Sequence, residues 1–389
     1  MMLTRFLGHS PKHEWDDALR TLTYADWTTE KGPIVVSYSP QTTGNPFQRL
    51  LYQNLPNVGG VAVPGRSIDT SVRLSTDLQG SARTVTHLHW LNVVLAKCKD
   101  RQEAQAAIAT FTGQLDNIAE RDGHIIWTVH NILPHEAQWE DLEAQLRTEV
   151  AQRAQRIHIM SSRTPDLCEP YFHIPREKVV HIPHPSYAGV YPHWVTADYA
   201  RQLLGIPSSV TVFLAFGRML PYKGSVELLQ AFTRLSEQKP GKVMLIVAGA
   251  ISQDAEMQQF LDDARYRRDV LIVDEKIPEV DVQIYFRAAD VCAYPYRRSL
   301  NSGALTLGLT FGRPAILPDN SGDLEDWNAG WVEHYEPSDE DGLFNALSRA
   351  MHTLTTPQSQ ASAIDAITPL NPTAISQRYV DELQSWLGN

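Results

Sequence analysis

The sequence has few cysteines and no long apolar run. Cys98, Cys168 and Cys292 lie far apart and form no CxxC spacing, which argues against a disulfide framework and a zinc site. No stretch approaches the roughly 18 to 20 apolar residues of a membrane span, and the first fifteen residues hold no apolar run typical of a signal peptide. We therefore expect a cytoplasmic protein, with peripheral contact at the inner face of the cell membrane left open.

An excess of basic residues is also missing. Lys and Arg number 34 against 45 Asp and Glu, so the net charge is −11. This balance argues against binding to nucleic-acid polymers, although a local basic loop can still hold one phosphate-bearing ligand. Hydrophobic residues make up 43 % of the 389 residues, which excludes a disordered chain and allows two hydrophobic cores.

Short apolar runs alternate with amphipathic stretches along the whole chain. This alternation predicts an α/β fold with parallel sheets. Strands are predicted at 34–37, 84–88, 125–129, 157–160 and 179–182, and then at 211–216, 242–248, 270–273, 291–293 and 314–317. The two series predict two Rossmann-like halves that face each other across a ligand cleft.

A proline-rich stretch separates the two series. Pro183, Pro185 and Pro192 lie within about ten residues and would interrupt regular structure. We place an N-terminal domain at 1–185 and a C-terminal domain at 186–371. Residues 372–389 follow as an amphipathic helix.

Two loops of the second half carry the strongest ligand-binding signals. In GRMLPYKG, Gly217 and Arg218 follow a strand, and Lys223 precedes a helix. Two cations beside a helix N-terminus are suited to a diphosphate. Asn301, Ser302 and Gly303 precede another helix. The serine is a good N-cap and the glycine lets a ligand approach, so a second anion pocket is predicted there.

Three loops of the first half follow predicted strands. Gly44 can bring the backbone close to a phosphate. His130 comes directly after a strand and is a candidate for sugar binding or proton transfer, and Glu136 is a candidate general base. His87 and His89 are expected to point to opposite faces. The chain has no HExxH motif and no tight group of His with carboxylates, so we expect no metal and no other cofactor.

The GRxxxxKG loop, the strand AADVCAYPY and the turn GRPAILPD resemble the donor-binding half of GT-B glycosyltransferases of the family 4 type. The resemblance implies two Rossmann-like domains and a C-terminal helix that returns to the first domain. It also implies that Arg218 and Lys223 bind the donor diphosphate, and that the loop around Gly44 approaches the same phosphates. Family 4 enzymes carry two glutamates where this chain has Ser299 and Leu307.

A narrower resemblance accounts for this departure. NPFQRLLYQNLP, HLHW, TVHNILPHE and NSGALTLGL are similar to the xanthan-type β-mannosyltransferases that use GDP-mannose. The resemblance implies a metal-independent hexosyltransferase in polysaccharide or glycoconjugate biosynthesis. It would transfer mannose from GDP-mannose to a glycan or a lipid-linked oligosaccharide, with His130 or Glu136 as general base. Two alternatives stay open, a sugar-nucleotide 2-epimerase of GT-B architecture and a non-catalytic nucleotide-sugar-binding subunit.

Overall fold

The computed structural model describes residues 11–134, 136–322 and 330–388. These residues form two compact units. The first contains the described residues up to Pro183 together with those from Thr373 onward, and the second spans His184–Pro372. The sequence predicts these boundaries at 185–186 and 371–372. No helix in the described ranges is long and apolar enough to cross a membrane.

The first unit is built on a parallel six-stranded sheet of order β2-β1-β3-β4-β5-β6. The strands are β1 (Ile34–Ser39), β2 (Val61–Pro64), β3 (Arg83–Leu88), β4 (His124–Thr128), β5 (Arg156–Ile159) and β6 (Val179–His181). The helices are α1 (Pro11–Leu22), α2 (Phe47–Tyr52), α3 (Asp69–Asp77), α4 (Arg101–Ala119), α5 (Glu140–Arg153) and α6 (Thr164–Cys168). Strands β1, β3 and β4 are buried along almost their whole length, as is typical of a parallel sheet covered on both faces.

The second unit repeats this plan with the order β12-β11-β10-β7-β8-β9. Its strands are β7 (Thr211–Phe216), β8 (Val243–Ala248), β9 (Val270–Val273), β10 (Val291–Ala293), β11 (Ala315–Pro318) and β12 (Val332–Tyr335). Its helices are α7 (Ala197–Leu203), α8 (Ser225–Gln238), α9 (Ala255–Ala264), α10 (Val282–Ala288), α11 (Gly303–Thr310), α12 (Gly342–Thr353) and α13 (Pro357–Ile367). One core between α8, α12 and the sheet contains Phe213, Phe232 and Leu347, all fully buried.

The last helix, α14 (Pro372–Leu387), packs within the first unit. Ile375, Tyr379 and Leu383 recur on one face and are fully buried, so the predicted amphipathic pattern describes a real packing face. Ser376 fixes the register, because its hydroxyl accepts from the Asn54 amide at 3.0 Å and donates to the Leu51 carbonyl at 2.8 Å.

The predicted α/β class with two parallel sheets is confirmed. The strands predicted at 211–216, 270–273 and 291–293 have those bounds in the structure. Strands β2 and β12, which lie at sheet edges, were missed. Each has four residues, and Pro64 and the charged Glu333 interrupt their apolar character, so periodicity alone does not distinguish them from loops.

We expect Leu383→Ala to lower the free energy of unfolding by about 2 to 5 kcal/mol, because it leaves a cavity beneath α14. Leu19→Ala is the matched control, since Leu19 is on a helix of the same unit but is 46 % exposed; its effect should stay within about 0.5 kcal/mol. Urea unfolding followed by circular dichroism measures both. Equal effects of the two variants would contradict the packing described for α14.

Candidate functional site

In the second unit, both predicted anion loops follow strands at the centre of the sheet. The loop 217–224 follows β7 and the segment 294–303 follows β10, and these two strands are neighbours. The strand order reverses direction between them, and ligands of open α/β sheets bind at the carboxyl ends of strands at such a reversal. The sheet topology therefore brings together the two loops that the sequence singled out.

Two glycines determine the path of the loop 217–224. Gly217 has φ +98° and Gly224 has φ +68°, backbone conformations that favour glycine. A Cβ at Gly224 would lie 2.1 Å from the Pro295 carbonyl oxygen, so the two loops approach each other closely at this point. The Arg297 amide also donates to the Tyr222 carbonyl at 2.8 Å, which connects the loops a second time.

Lys223 is directed back over its own loop. Its Nζ would lie 3.2 Å from a Cβ at Gly217, and it lies 5.4 Å from the centroid of the Tyr296 ring. Burial lowers the pKa of Lys223 to about 8. Arg218, by contrast, is exposed. Within the described ranges neither cation forms an ion pair with an acidic side chain, so both charges are available to an anionic ligand.

The segment 301–303 forms the start of α11. Ser302 is the N-cap, and its Oγ accepts from the Leu305 amide at 3.1 Å. Gly303 allows a close approach, because a Cβ there would lie 2.8 Å from the Tyr187 hydroxyl. Asn301 is partly buried beside them. The serine thus has a structural role as a cap, while the glycine leaves room for the Tyr187 hydroxyl beside the first turn of the helix.

In the first unit, the loop that contains Gly44 follows β1. Gly44 is exposed, its φ lies outside the left-handed region, and a Cβ there would meet nothing within 4 Å. The loop takes its shape from Gln48, whose side chain accepts from the Thr42 amide at 3.0 Å and donates to the Pro40 carbonyl at 2.9 Å. The structure thus leaves open space at Gly44 without requiring glycine there.

His130 lies two residues beyond β4 and is 9 % exposed. Its ring stacks on Trp90 at 4.1 Å between centroids and meets the edge of Phe47 at 5.1 Å. Its Nε2 is 2.9 Å from Nδ1 of His89. Glu136 is exposed, in a turn before α5. Of the two candidate bases, only the histidine is oriented by packing.

The prediction that His87 and His89 point to opposite faces is wrong. Residues i and i+2 of an extended segment share a face, and the two rings stack with centroids 4.3 Å apart. The Tyr52 hydroxyl lies 2.7 Å from both, at Nδ1 of His87 and Nε2 of His89. Burial, reinforced by repulsion from neighbouring histidines, holds the pKa of both imidazoles well below its usual value.

Four histidines of the first unit share this buried region, and hydrogen bonds rather than a common centre relate them. Thr128 Oγ1 bridges His87 Nε2 at 2.7 Å and His158 Nδ1 at 2.8 Å. Among the residues that the structure describes, no group of three or more His, Cys, Asp or Glu side chains could hold a metal ion. The four histidines therefore form a hydrogen-bonding array.

A cavity of about 630 Å³ opens at the carboxyl ends of β1 and β3. Trp90, Val94 and Phe111 supply apolar walls. Lys97 and Arg66 supply positive charge beside one carboxylate, Asp69, and Arg66 also lies 4.0 Å from Glu14. Trp90 is common to this cavity and to the environment of His130. The cavity is suited to a ligand that has an apolar part and an anionic group.

Sequence reasoning missed several residues of these sites. Tyr296 lies beneath Lys223, and Tyr187 lies against Gly303, although it belongs to the stretch interpreted only as a boundary. Tyr52, Thr128 and His158 complete the histidine array. A usable signal was present, since a polar residue between apolar residues of a buried strand, such as His158 between Ile157 and Ile159, requires a buried partner.

Comparisons with known proteins agree with this geometry. Two parallel six-stranded sheets, each with loops at the reversal of strand order, define the GT-B class. Sucrose-phosphate synthase from Thermosynechococcus elongatus aligns over 91 % of this chain and 99 % of its own, with a TM-score of 0.69 and 14 % identity. Anabaena HepE in complex with UDP and glucose aligns over 91 % and 100 %, with a TM-score of 0.62 and 16 % identity. The predicted GT-B fold is confirmed.

Residues 210–353 match the family model described as Glycosyl transferases group 1. A GDP-mannose:glycolipid 4-beta-D-mannosyltransferase of Xanthomonas campestris pv. campestris is 26 % identical over 322 residues, covering 79 % of this chain and 80 % of that protein. A lipopolysaccharide 1,2-N-acetylglucosaminetransferase of Salmonella typhimurium is 23 % identical over 49 % of this chain and 52 % of its own. The chain carries a group 1 glycosyltransferase domain, and the prediction of a hexosyltransferase is confirmed.

We expect Gly224→Ala to destabilise the protein more than Gly241→Ala. Both glycines have φ +68°, but a Cβ at Gly241 meets nothing within 4 Å, so that variant isolates the backbone strain of about 1 to 2 kcal/mol. The Gly224 variant adds the collision with Pro295, typically about 1 to 3 kcal/mol more. Urea unfolding measures the difference. Indistinguishable variants would show that the two loops do not need their close approach.

Proposed function

We propose that this chain transfers mannose from GDP-mannose to a lipid-linked glycan. The observation that carries the proposal is the similarity to a GDP-mannose:glycolipid mannosyltransferase over 79 % of the chain, which extends through both units. The two sites described above supply the chemistry that such a reaction needs. One offers cations to a diphosphate, and the other joins apolar walls to positive charge.

The donor diphosphate would bind at the loop 217–224 and the start of α11. Lys223 and Arg218 have charges available for it, and the first amides of α11 add the positive end of a helix dipole. Charge on the diphosphate grows as its bond to the sugar breaks. Electrostatic stabilisation by fixed cations therefore acts mainly on the transition state.

The acceptor would bind in the 630 Å³ cavity of the first unit. Trp90 offers an aromatic face to a sugar ring, and Phe111 and Val94 offer apolar surface to a lipid. Lys97 and Arg66 at the same cavity suit the phosphate groups of a lipid diphosphate. These features favour a lipid-linked oligosaccharide over a free polar sugar.

His130 is our candidate for the general base. The acceptor hydroxyl would give its proton to the imidazole while its oxygen bonds to C1 of mannose. The bond between C1 and the diphosphate oxygen would break, and its electron pair would leave with GDP. This direct displacement yields a β-mannoside from the α-linked donor and needs neither a metal nor a covalent intermediate.

The proposal is tested by incubating the protein with GDP-mannose, with and without a lipid-diphosphate-linked oligosaccharide. We expect a mannosylated lipid and GDP only when both substrates are present. The β-linkage should be visible in the anomeric coupling of the product by NMR. Isomerised sugar nucleotide from donor alone would support a 2-epimerase instead, and donor binding without turnover on an acceptor panel would support a non-catalytic subunit.

Lys223 should make donor binding depend on pH. Its ammonium form predominates below its pKa of about 8, so the affinity for GDP-mannose should fall as pH rises through 8, approaching about tenfold per pH unit. Lys223→Arg keeps its charge and should remove this dependence. Any titration of the nucleotide itself affects both proteins equally. Calorimetry between pH 7 and 9.5 measures the affinities.

Lys223→Ala should lower kcat/KM by about 100-fold. The control Lys242→Ala removes an exposed lysine of the same unit and should behave as wild type in both experiments. Near-normal turnover in Lys223→Ala, or an affinity of the wild type that does not change with pH, would contradict the role given to Lys223.

The cavity should determine the acceptor KM separately from donor binding. We expect Phe111→Ala to raise the KM for a lipid-linked acceptor by about tenfold, the loss of a buried aromatic contact, with the affinity for GDP-mannose unchanged. Tyr171→Ala removes an aromatic side chain of the same unit that is 40 % exposed and outside the cavity lining, and should leave both constants unchanged. If Phe111→Ala instead weakened the binding of GDP-mannose and left the acceptor KM unchanged, the acceptor would not bind in this cavity.

A further inference from the structure

A continuous hydrogen-bonded path leads from a backbone carbonyl to His130. We call it the histidine network, and it runs through His158, Thr128, His87, Tyr52, His89 and His130. Its successive distances are 2.8 Å from the Ile182 carbonyl to His158, 2.8 and 2.7 Å through Thr128, 2.7 and 2.7 Å through Tyr52, and 2.9 Å to His130.

The carbonyl end determines where the first protons lie. A carbonyl oxygen only accepts, so His158 donates to Ile182 through Nε2, and its neutral ring must accept at Nδ1. Thr128 therefore donates to His158 and accepts from Nε2 of His87. The imidazoles are taken as neutral because a charge in this buried region is costly, and burial holds the pKa of His87 and His89 well below its usual value.

The same reasoning continues to the other end. His87 has its proton on Nε2, so its Nδ1 accepts from both hydroxyls beside it, that of Tyr52 at 2.7 Å and that of Tyr379 at 2.9 Å. The Tyr52 oxygen then accepts from Nε2 of His89, which leaves Nδ1 of His89 as an acceptor. The contact of 2.9 Å between Nδ1 of His89 and Nε2 of His130 requires a proton, and only His130 can supply it.

We infer that the histidine network fixes the tautomer of His130, with the proton on Nε2 and with Nδ1 as the nitrogen that accepts a proton from the substrate. His89 then contacts the base directly, and Tyr52, His87, Thr128 and His158 are positioning residues that act through it. The catalytic part of this inference rests on the proposed function; the tautomer does not.

The network holds the tautomer and does not relay protons. A relay would have to pass a proton out at its far end, but that end is the Ile182 carbonyl, which cannot carry one away. The imidazolium formed when His130 takes a proton keeps its Nε2 bond to His89. It also faces the Trp90 ring at 4.1 Å, where a cation–π interaction favours the charge.

The tautomer is tested on the whole protein by 15N-histidine NMR, with the His130 signals assigned by comparison with His130→Gln. We expect a proton on Nε2 and none on Nδ1 in the wild type. Tyr52→Phe breaks the network and should give a mixture of tautomers. Tyr379→Phe is a matched control. Tyr379 is equally buried and its hydroxyl also lies near His87 Nδ1, at 2.9 Å, but the path from His87 to His89 runs through Tyr52. A proton on Nδ1 in the wild type, or an unchanged tautomer in Tyr52→Phe, would overturn the inference.

Turnover gives the second readout. Tyr52→Phe should lower kcat about tenfold or more with the KM for GDP-mannose unchanged, and Tyr379→Phe should stay within about twofold. If Tyr52→Phe does not fold, Thr128→Val replaces it, with Thr128→Ser as the variant that restores the bond. Equal kcat in Thr128→Val and Thr128→Ser would overturn the inference. Absence of mannosyl transfer in the wild type would reject the proposed function, while the NMR result still decides the tautomer.

Discussion

Parallel strand pairing is the constraint on which both sites depend. All strands of a parallel sheet end at the same edge, and a reversal of strand order leaves a gap between the loops at its centre. In the second unit the reversal lies between β7 and β10, and in the first unit between β1 and β3. The cations, the N-terminus of α11, Gly44 and the cavity all follow these four strands. These groups differ in chemistry, but the reversal of strand order in each sheet determines where all of them lie.

Within that constraint, the loop 217–224 holds a lysine, Lys223, whose charged form is disfavoured by burial, as its lowered pKa indicates. The close approach of Gly224 to Pro295 keeps the loop in place, and the neighbouring Tyr296 ring offers the ammonium an aromatic face. An anion bound in this loop favours the charged form of Lys223, which burial disfavours. Anion binding and protonation of Lys223 are therefore linked.

The sequence predicted most of the strand positions and singled out the loops 217–224 and 301–303 as candidate anion sites, because both depend on local pattern. A buried strand followed by Gly-Arg and a lysine before a helix can be recognised in the single stretch 211–225. The partners Tyr296 and Tyr187 could not be found in this way, since they are distant in sequence from Lys223 and Gly303 and meet them only in the folded chain. The edge strands β2 and β12 were missed for a different reason, which is their short length and mixed polarity.

The histidine array shows how a wrong local inference conceals a site. Once His87 and His89 were assigned to opposite faces, they could not be joined, whereas the i, i+2 rule places them together. Thr128 on β4 and His158 on β5 each add one buried polar group to the same face of the sheet. Buried polar groups must be paired with one another, so a polar residue on each of three successive strands already implies a network across the sheet. Its direction depends on a backbone carbonyl, Ile182, whose position no side-chain pattern reveals.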